Sequence, residues 1–183
     1  MALQRRHVIA LALLSAAGVR AQSAAPPPEV ATEIPGAKLQ GSGTLRFLGL
    51  RVYDARLWTA ATVPGADWAA AALALALELE YARSLDGVRI AERSLAEMRR
   101  QGEIAADVAE RWLDAMKQIF PDMKAGDRIT GVNVPGLGAR FFTNGRLKGE
   151  VRDLGFARFF FGIWLSPKTS EPALRDALLG KVS

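Results

Sequence analysis

The clearest hydrophobic repeat in the chain has a period of two. Leu73, Leu75, Leu77, Leu79 and Tyr81 alternate with alanines and with Glu78 and Glu80. A helix would scatter these five side chains round its circumference, whereas a strand aligns them on one face, so the spacing predicts a strand over 73–83 despite the helix propensity of Ala and Leu. Upstream, residues 37–48 and 50–58 read as two extended segments broken at Gly49. In the second, Arg51, Tyr53, Ala55 and Leu57 fall on one face and Val52, Asp54, Arg56 and Trp58 on the other. Pro64-Gly65 marks a turn. The period then changes to that of a helix: Ile90, Ser94 or Leu95, and Met98 predict one over 87–100. Val108, Trp112, Ala115, Met116 and Ile119 predict a second over 106–120, stopped by Pro121. Beyond it, 129–134 is extended, and 139–143 and 146–151 flank Asn144-Gly145, whose residues both tolerate positive φ and so predict a hairpin. A helix over 153–165 is apolar almost all round, and a last one has Ser170 as its expected cap, Pro172 in its first turn and Gly180 at its end. Strands, a helix pair, strands and a helix pair imply an α+β fold with an antiparallel sheet.

The N-terminus has a different pattern. Arg5 and Arg6 precede a charge-free apolar stretch from Val8 to Val19, and Val19-Arg20-Ala21 offers small residues for cleavage, which predicts an export signal over 1–21, removed after Ala21. Twelve apolar residues fall short of the roughly 20 needed to cross a bilayer, so no stable membrane span is expected after cleavage. The expected location is periplasmic or secreted. Arg5-Arg6 leaves both general and twin-arginine export open. Residues 22–35 hold Pro26-Pro27-Pro28 and no apolar repeat, and are expected to form a flexible Pro-rich tether to a domain over 36–183.

Composition narrows the chemistry. The chain has no Cys and a single His, His7, inside the expected leader. The mature protein is therefore expected to lack Ser-His-Asp triads, thiol nucleophiles, zinc sites and His-ligated haem, and neither a metal nor a cofactor is expected. Absence of Cys also suits an oxidising compartment. Removing the leader leaves 21 of the 24 basic residues against 19 acidic ones, a net of +2 instead of +5. After the leader the basic residues are dispersed, with Arg99-Arg100 the only adjacent pair, so nucleic acid is not an expected partner. Gly131 to Gly138 lacks the Lys-Ser/Thr ending of a phosphate loop and reads as a turn.

The segment Gly41-Ser42-Gly43 through Gly49-Leu50-Arg51-Val52-Tyr53 to Trp58 resembles the opening Gly-x-Gly and Gly-Val-Lys-Val-Tyr-Ala strands of the chalcone isomerase fold. Further matches follow in order at Leu77–Gly87, Ala125–Ile129, Phe142–Gly145 and Phe156–Leu165. Over about residues 36–181 the chain is similar to bacterial exported chalcone isomerase-like proteins. The resemblance implies a curved antiparallel sheet packed on one face by a layer of helices, with a ligand cleft between them. It also implies that the family holds either flavonoid isomerases or non-catalytic fatty-acid binders. In that family an Arg at the first hairpin and an aromatic or hydroxyl residue in the next strand hold a carboxylate or phenolate, a task suited to a planar guanidinium. Tyr53 falls on the strand position. Arg46 is the nearest arginine to the anion-binding position, one residue further from Gly43 than the pattern has, an offset that in a regular strand sends a side chain to the opposite face. Ile90 stands where the catalytic tyrosine is expected, Arg93 replaces a lysine and Glu97 an asparagine; Ile90 can neither hold a phenolate nor stabilise an enolate.

The ligand-binding candidates are thus Tyr53, Arg46 and Arg93, and no catalytic residue is assigned. Each has a structural alternative. Tyr53 also suits a half-buried sheet aromatic, Arg46, Arg51 and Arg56 suit solvated strand positions, and Arg93 with Glu97 has the spacing of a surface ion pair. Phe159-Phe160-Phe161 fits a buried helix as well as a lipid-chain cavity. The leading expectation is a non-catalytic protein binding a fatty acid or similar amphipathic carboxylate. An isomerase or intramolecular lyase, and a scaffold whose cleft is filled by its own side chains, are the alternatives.

Overall fold

Each predicted strand pairs with its neighbour in sequence. In the computed structural model, which describes residues 25–65, 68–69 and 73–181, one antiparallel sheet runs in chain order. Its strands are β1 (Lys38–Phe47), β2 (Leu50–Thr59), β3 (Leu75–Tyr81), β4 (Arg128–Val134), β5 (Gly138–Thr143) and β6 (Arg146–Val151). Helices α2 (Gly87–Arg99) and α3 (Ala106–Ile119) join β3 to β4, and α4 (Leu154–Leu165) and α5 (Pro172–Leu178) follow β6. The expected leader, residues 1–21, lies outside the described residues.

Register decides which side chains meet the helices. Leu45, Tyr53 and Tyr81 stand side by side across β1, β2 and β3; Ala55, Leu79 and Ile129 form the next row, and Leu57, Leu77, Gly131 and Phe141 the row after it. This face carries the larger core, closed by Met98, Trp112, Met116, Phe156, Phe161 and Leu165 from α2, α3 and α4. Phe141 meets Phe160 edge-on at 4.9 Å between ring centroids, and Phe156 stacks on Phe160 at 5.6 Å. The all-round apolar pattern of α4 follows from burial between sheet and helices. Its N-cap Asp153 accepts from the Phe156 N–H at 3.0 Å and from the Trp112 indole at 2.9 Å, tying α4 to α3. The Gly-x-Gly of β1 has a packing role as well. A Cβ on Gly41 would stand 2.2 Å from the Ala177 carbonyl oxygen, so α5 reaches β1 only because no side chain intervenes.

The opposite face overturns one expectation. Within the expected tether, Pro28–Glu33 forms helix α1, with Glu29 and Val30 buried against the sheet. Pro28 occupies the first turn, where the missing N–H costs no hydrogen bond and the fixed φ already suits a helix. Val30 and Ile34, four residues apart, complete a second core with Trp58, Ala76, Val132 and Phe142. The helical layer on one face is therefore joined by a short helix on the other. Ser170 does not cap α5 either: the N-cap is Glu171, without a side-chain cap bond, while Thr169 Oγ1 accepts from the Glu171 N–H at 3.1 Å.

Candidate ligand-binding cavity

Where β1, β2 and β3 run out beyond the core, the sheet and the helices part around a cavity of about 410 Å³, a size typical of small-molecule sites. The sheet supplies Tyr53, Leu79, Tyr81 and Ile129; α2 supplies Ile90 and Ser94; α4 supplies Phe160, Ile163 and Trp164. Leu45, Arg46 and Phe47 of the first hairpin line it too, with Arg83, Arg89, Arg93, Glu97 and Glu171. The walls are chiefly alkyl and aromatic, and the charges sit on residues that also reach solvent, Glu97 excepted.

Tyr53 projects from β2 onto the helix-facing side. Its hydroxyl accepts a hydrogen bond from the Trp164 indole N–H at 3.0 Å, and its ring meets Tyr81 edge-on at 5.8 Å. Burial pushes the Tyr53 hydroxyl pKa well above its ordinary value; the Trp164 bond opposes this, while the Glu171 and Glu97 carboxylates add to it. Burial raises Tyr81 in the same way. Both phenols are therefore neutral at physiological pH. With one lone pair of Tyr53 engaged by Trp164, its proton is free to be donated to an anion.

Arg46 lines the cavity together with Leu45, although adjacent strand residues should face opposite ways. Arg46 is the penultimate residue of β1 and reaches the cavity rim from there. Leu45 pairs with Tyr53 but Arg46 pairs with Arg51, so Val52 is an extra residue on β2, and at this bulge Val52 and Tyr53 both line the cavity. Arg46 donates only to the Gly49 carbonyl, at 3.4 Å.

Arg93 also lines the cavity, but its guanidinium is held by Glu97 at 2.6 Å. The expected i,i+4 pair forms, joining an Arg93 side chain that is 72% exposed to a Glu97 side chain only 9% exposed, which Arg100 also approaches at 3.5 Å. Arg56 is not a solvated strand residue, since it bonds Glu78 and Glu80 on the far face. Among the described residues, no carboxylate pairs with Arg46, Arg83 or Arg89.

Tyr81, Arg83, Arg89 and Trp164 were not singled out from sequence. Tyr81 shares the period-two face of Leu79, and Arg89 lies four residues before Arg93 on the same helix face. Both signals were present, but the β2–β3 register that sets Tyr81 beside Tyr53 was not.

A family model described as chalcone isomerase-like matches residues 20–180. The chain belongs to the chalcone isomerase-like family. The fold of this chalcone isomerase-like chain is also that of a crystal structure of an Arabidopsis thaliana fatty-acid binding protein, with a TM-score of 0.64 and 14% identity over 80% of this chain and 88% of that one. A Haemophilus influenzae protein described as uncharacterized is 29% identical over 107 residues, 58% of this chain and 52% of that protein, so the match spans about half of the relative's length. At the position where the resemblance places the catalytic tyrosine, Ile90 offers the cavity only an alkyl group.

Proposed function

We propose that this chalcone isomerase-like protein binds a fatty acid or similar amphipathic monocarboxylate, without transforming it, in a compartment outside the cytoplasm. The observation that carries the reading is an apolar cavity of about 410 Å³ with unpaired guanidinium groups of Arg46, Arg83 and Arg89 along its wall. An acyl chain gains from leaving water for the alkyl and aromatic wall. A carboxylate gains charge-assisted, bidentate hydrogen bonds from arginines that have no carboxylate of their own among the described residues. Arg93, already held by Glu97, is left to shape the wall, and Tyr53 contributes a neutral O–H. The fold shared with a fatty-acid binding protein is consistent with this use. The leader-like N-terminus and the absence of Cys support export.

Native mass spectrometry of protein purified without detergent, with melting curves in increasing laurate, tests the reading. A co-purifying acyl carboxylate and a concentration-dependent rise in melting temperature are expected. Dodecanol, which has the same chain and no charge, should bind more weakly. Loss of both signals overturns the proposal, and turnover of a chalcone above the buffer rate would replace it with an isomerase. N-terminal sequencing of exported protein, with Gln22 expected first, tests the location.

A further inference from the structure

The chain makes two hairpins with the same two-residue turn but different turn chemistry. Between β5 and β6, Asn144 and Gly145 have φ of 49° and 79°; between β1 and β2, Leu48 and Gly49 have φ of 50° and 79°. Positive φ at both central residues favours Asn, Asp or Gly at the first, and a branched apolar side chain is disfavoured there. Asn144 satisfies that rule and fastens its hairpin, accepting from the Arg128 N–H at 2.8 Å and donating to Asp127 at 3.0 Å. Leu48 breaks it and gains no packing in return, being 86% exposed. Its neighbours Phe47 and Leu50 are 66% and 58% exposed. Neither backbone preference nor burial among the described residues accounts for three large apolar residues on this tip.

Position points to a partner. The tip continues into the cavity wall, because Arg46 and Phe47 belong to both. Arg46, Arg83 and Arg89 line the same cavity and have no carboxylate partner among the described residues, and Val88, 44% exposed, stands beside Arg89. An apolar knuckle next to unpaired arginines complements a bilayer with anionic headgroups: the leucines and phenylalanine enter the acyl boundary while the guanidiniums stay at phosphate level. We propose that the β1–β2 hairpin tip docks this protein onto anionic phospholipid membranes and so holds the cavity against the surface from which its cargo comes. The proposal rests on the amphipathic-carboxylate reading of the cavity.

Flotation of the purified full chain with vesicles of phosphatidylethanolamine and phosphatidylglycerol at 7:3, against pure phosphatidylcholine vesicles, tests it. The double variant Leu48→Asp, Leu50→Asp alters only exposed side chains, and Asp tolerates the positive φ at 48, so its melting temperature should match the wild type. Wild type should float with the phosphatidylglycerol vesicles, and the double variant should partition about tenfold less or weaker still. Both proteins share the same N-terminus, so the difference reports the hairpin. Laurate binding in vesicle-free solution should be the same for both. Equal flotation of the two proteins, or no flotation of wild type, overturns docking while leaving laurate binding intact. Tip-dependent flotation without any laurate binding overturns the cargo reading instead. A dimer in vesicle-free sedimentation that the double variant abolishes would reassign the tip to a second copy and overturn the membrane role.

Discussion

The two faces of the sheet treat polar groups in opposite ways. On the face covered by α1, Glu78 accepts from the Trp58 indole at 2.7 Å and from Arg56 at 3.0 Å, while Glu29 accepts from Arg128 and Thr130, both at 2.8 Å. Apart from Glu29 Oε2 and Arg128 Nε, the buried polar side-chain atoms of that network have partners within the protein. On the face covered by the longer helices, Arg46, Arg83 and Arg89 line a cavity that Glu97 and Glu171 also line, yet among the described residues none of the three arginines forms an ion pair. Burying charge is costly unless it is paired and hydrogen-bonded. A network that supplies its own partners serves the fold, whereas the three solvent-exposed guanidiniums keep their hydrogen-bonding capacity open for the anion proposed above.

Substitutions sharpen this contrast, the largest effect falling on the self-paired face. Glu78→Ala leaves the Trp58 N–H and the Arg56 and Arg128 guanidiniums short of an acceptor, and should cost about 3–5 kcal/mol in urea unfolding. Laurate affinity of the folded fraction should not change, and a large loss of affinity would break the division between faces. At the cavity the pattern should invert. Arg83→Ala with Arg89→Ala should change stability by less than about 0.5 kcal/mol but weaken laurate binding about tenfold in calorimetry. Tyr53→Phe deprives the Trp164 N–H of its acceptor, and about 1 kcal/mol of stability should go with it. Affinity should fall only a few-fold, since the phenol supplies one neutral hydrogen bond.

Alkaline titration reads the cavity face directly. Tyr53 and Tyr81 are the only tyrosines in the sequence, and burial raises both. At pH 11 an ordinary tyrosine is about 90% ionised, yet the folded protein should show little phenolate absorbance near 295 nm. The unfolded chain loses these protons from about pH 10 while the folded one keeps them, so stability is unaffected below that pH and declines as pH rises above it. The decline should approach about 1.4 kcal/mol per pH unit for each tyrosine. Ordinary titration of either residue in the native protein would show that it is solvated.

Much of the fold was legible because short-range spacing fixes it. The Leu75–Tyr81 alternation, the Asn144-Gly145 turn and the Met98 and Trp112 helix faces each follow from neighbours a few residues apart. Helix α1 was missed because the prolines at 26, 27 and 28 read as a tether, although only Pro28 lies in the helix, and the sheet surface that buries Val30 and Ile34 makes six residues hold as a helix. Tyr53, Arg46 and Arg93 were named from sequence and all three line the cavity. The Arg93–Glu97 pair was legible from its i,i+4 spacing, but nothing local tells that Glu97 is buried, that Arg46 has no acid among the described residues, or that Tyr81 and Trp164 converge on Tyr53.

The sequence by itself therefore determined the order of elements, the chemistry left to the chain without Cys, and the family, since these depend on residue type and near-neighbour spacing. Tertiary structure alone decided which charges are satisfied and which face the hollow. Ion pairing and burial depend on residues from different strands and helices meeting at hydrogen-bond range, and a bulge such as that at Val52 brings two successive β2 residues, Val52 and Tyr53, to the same cavity.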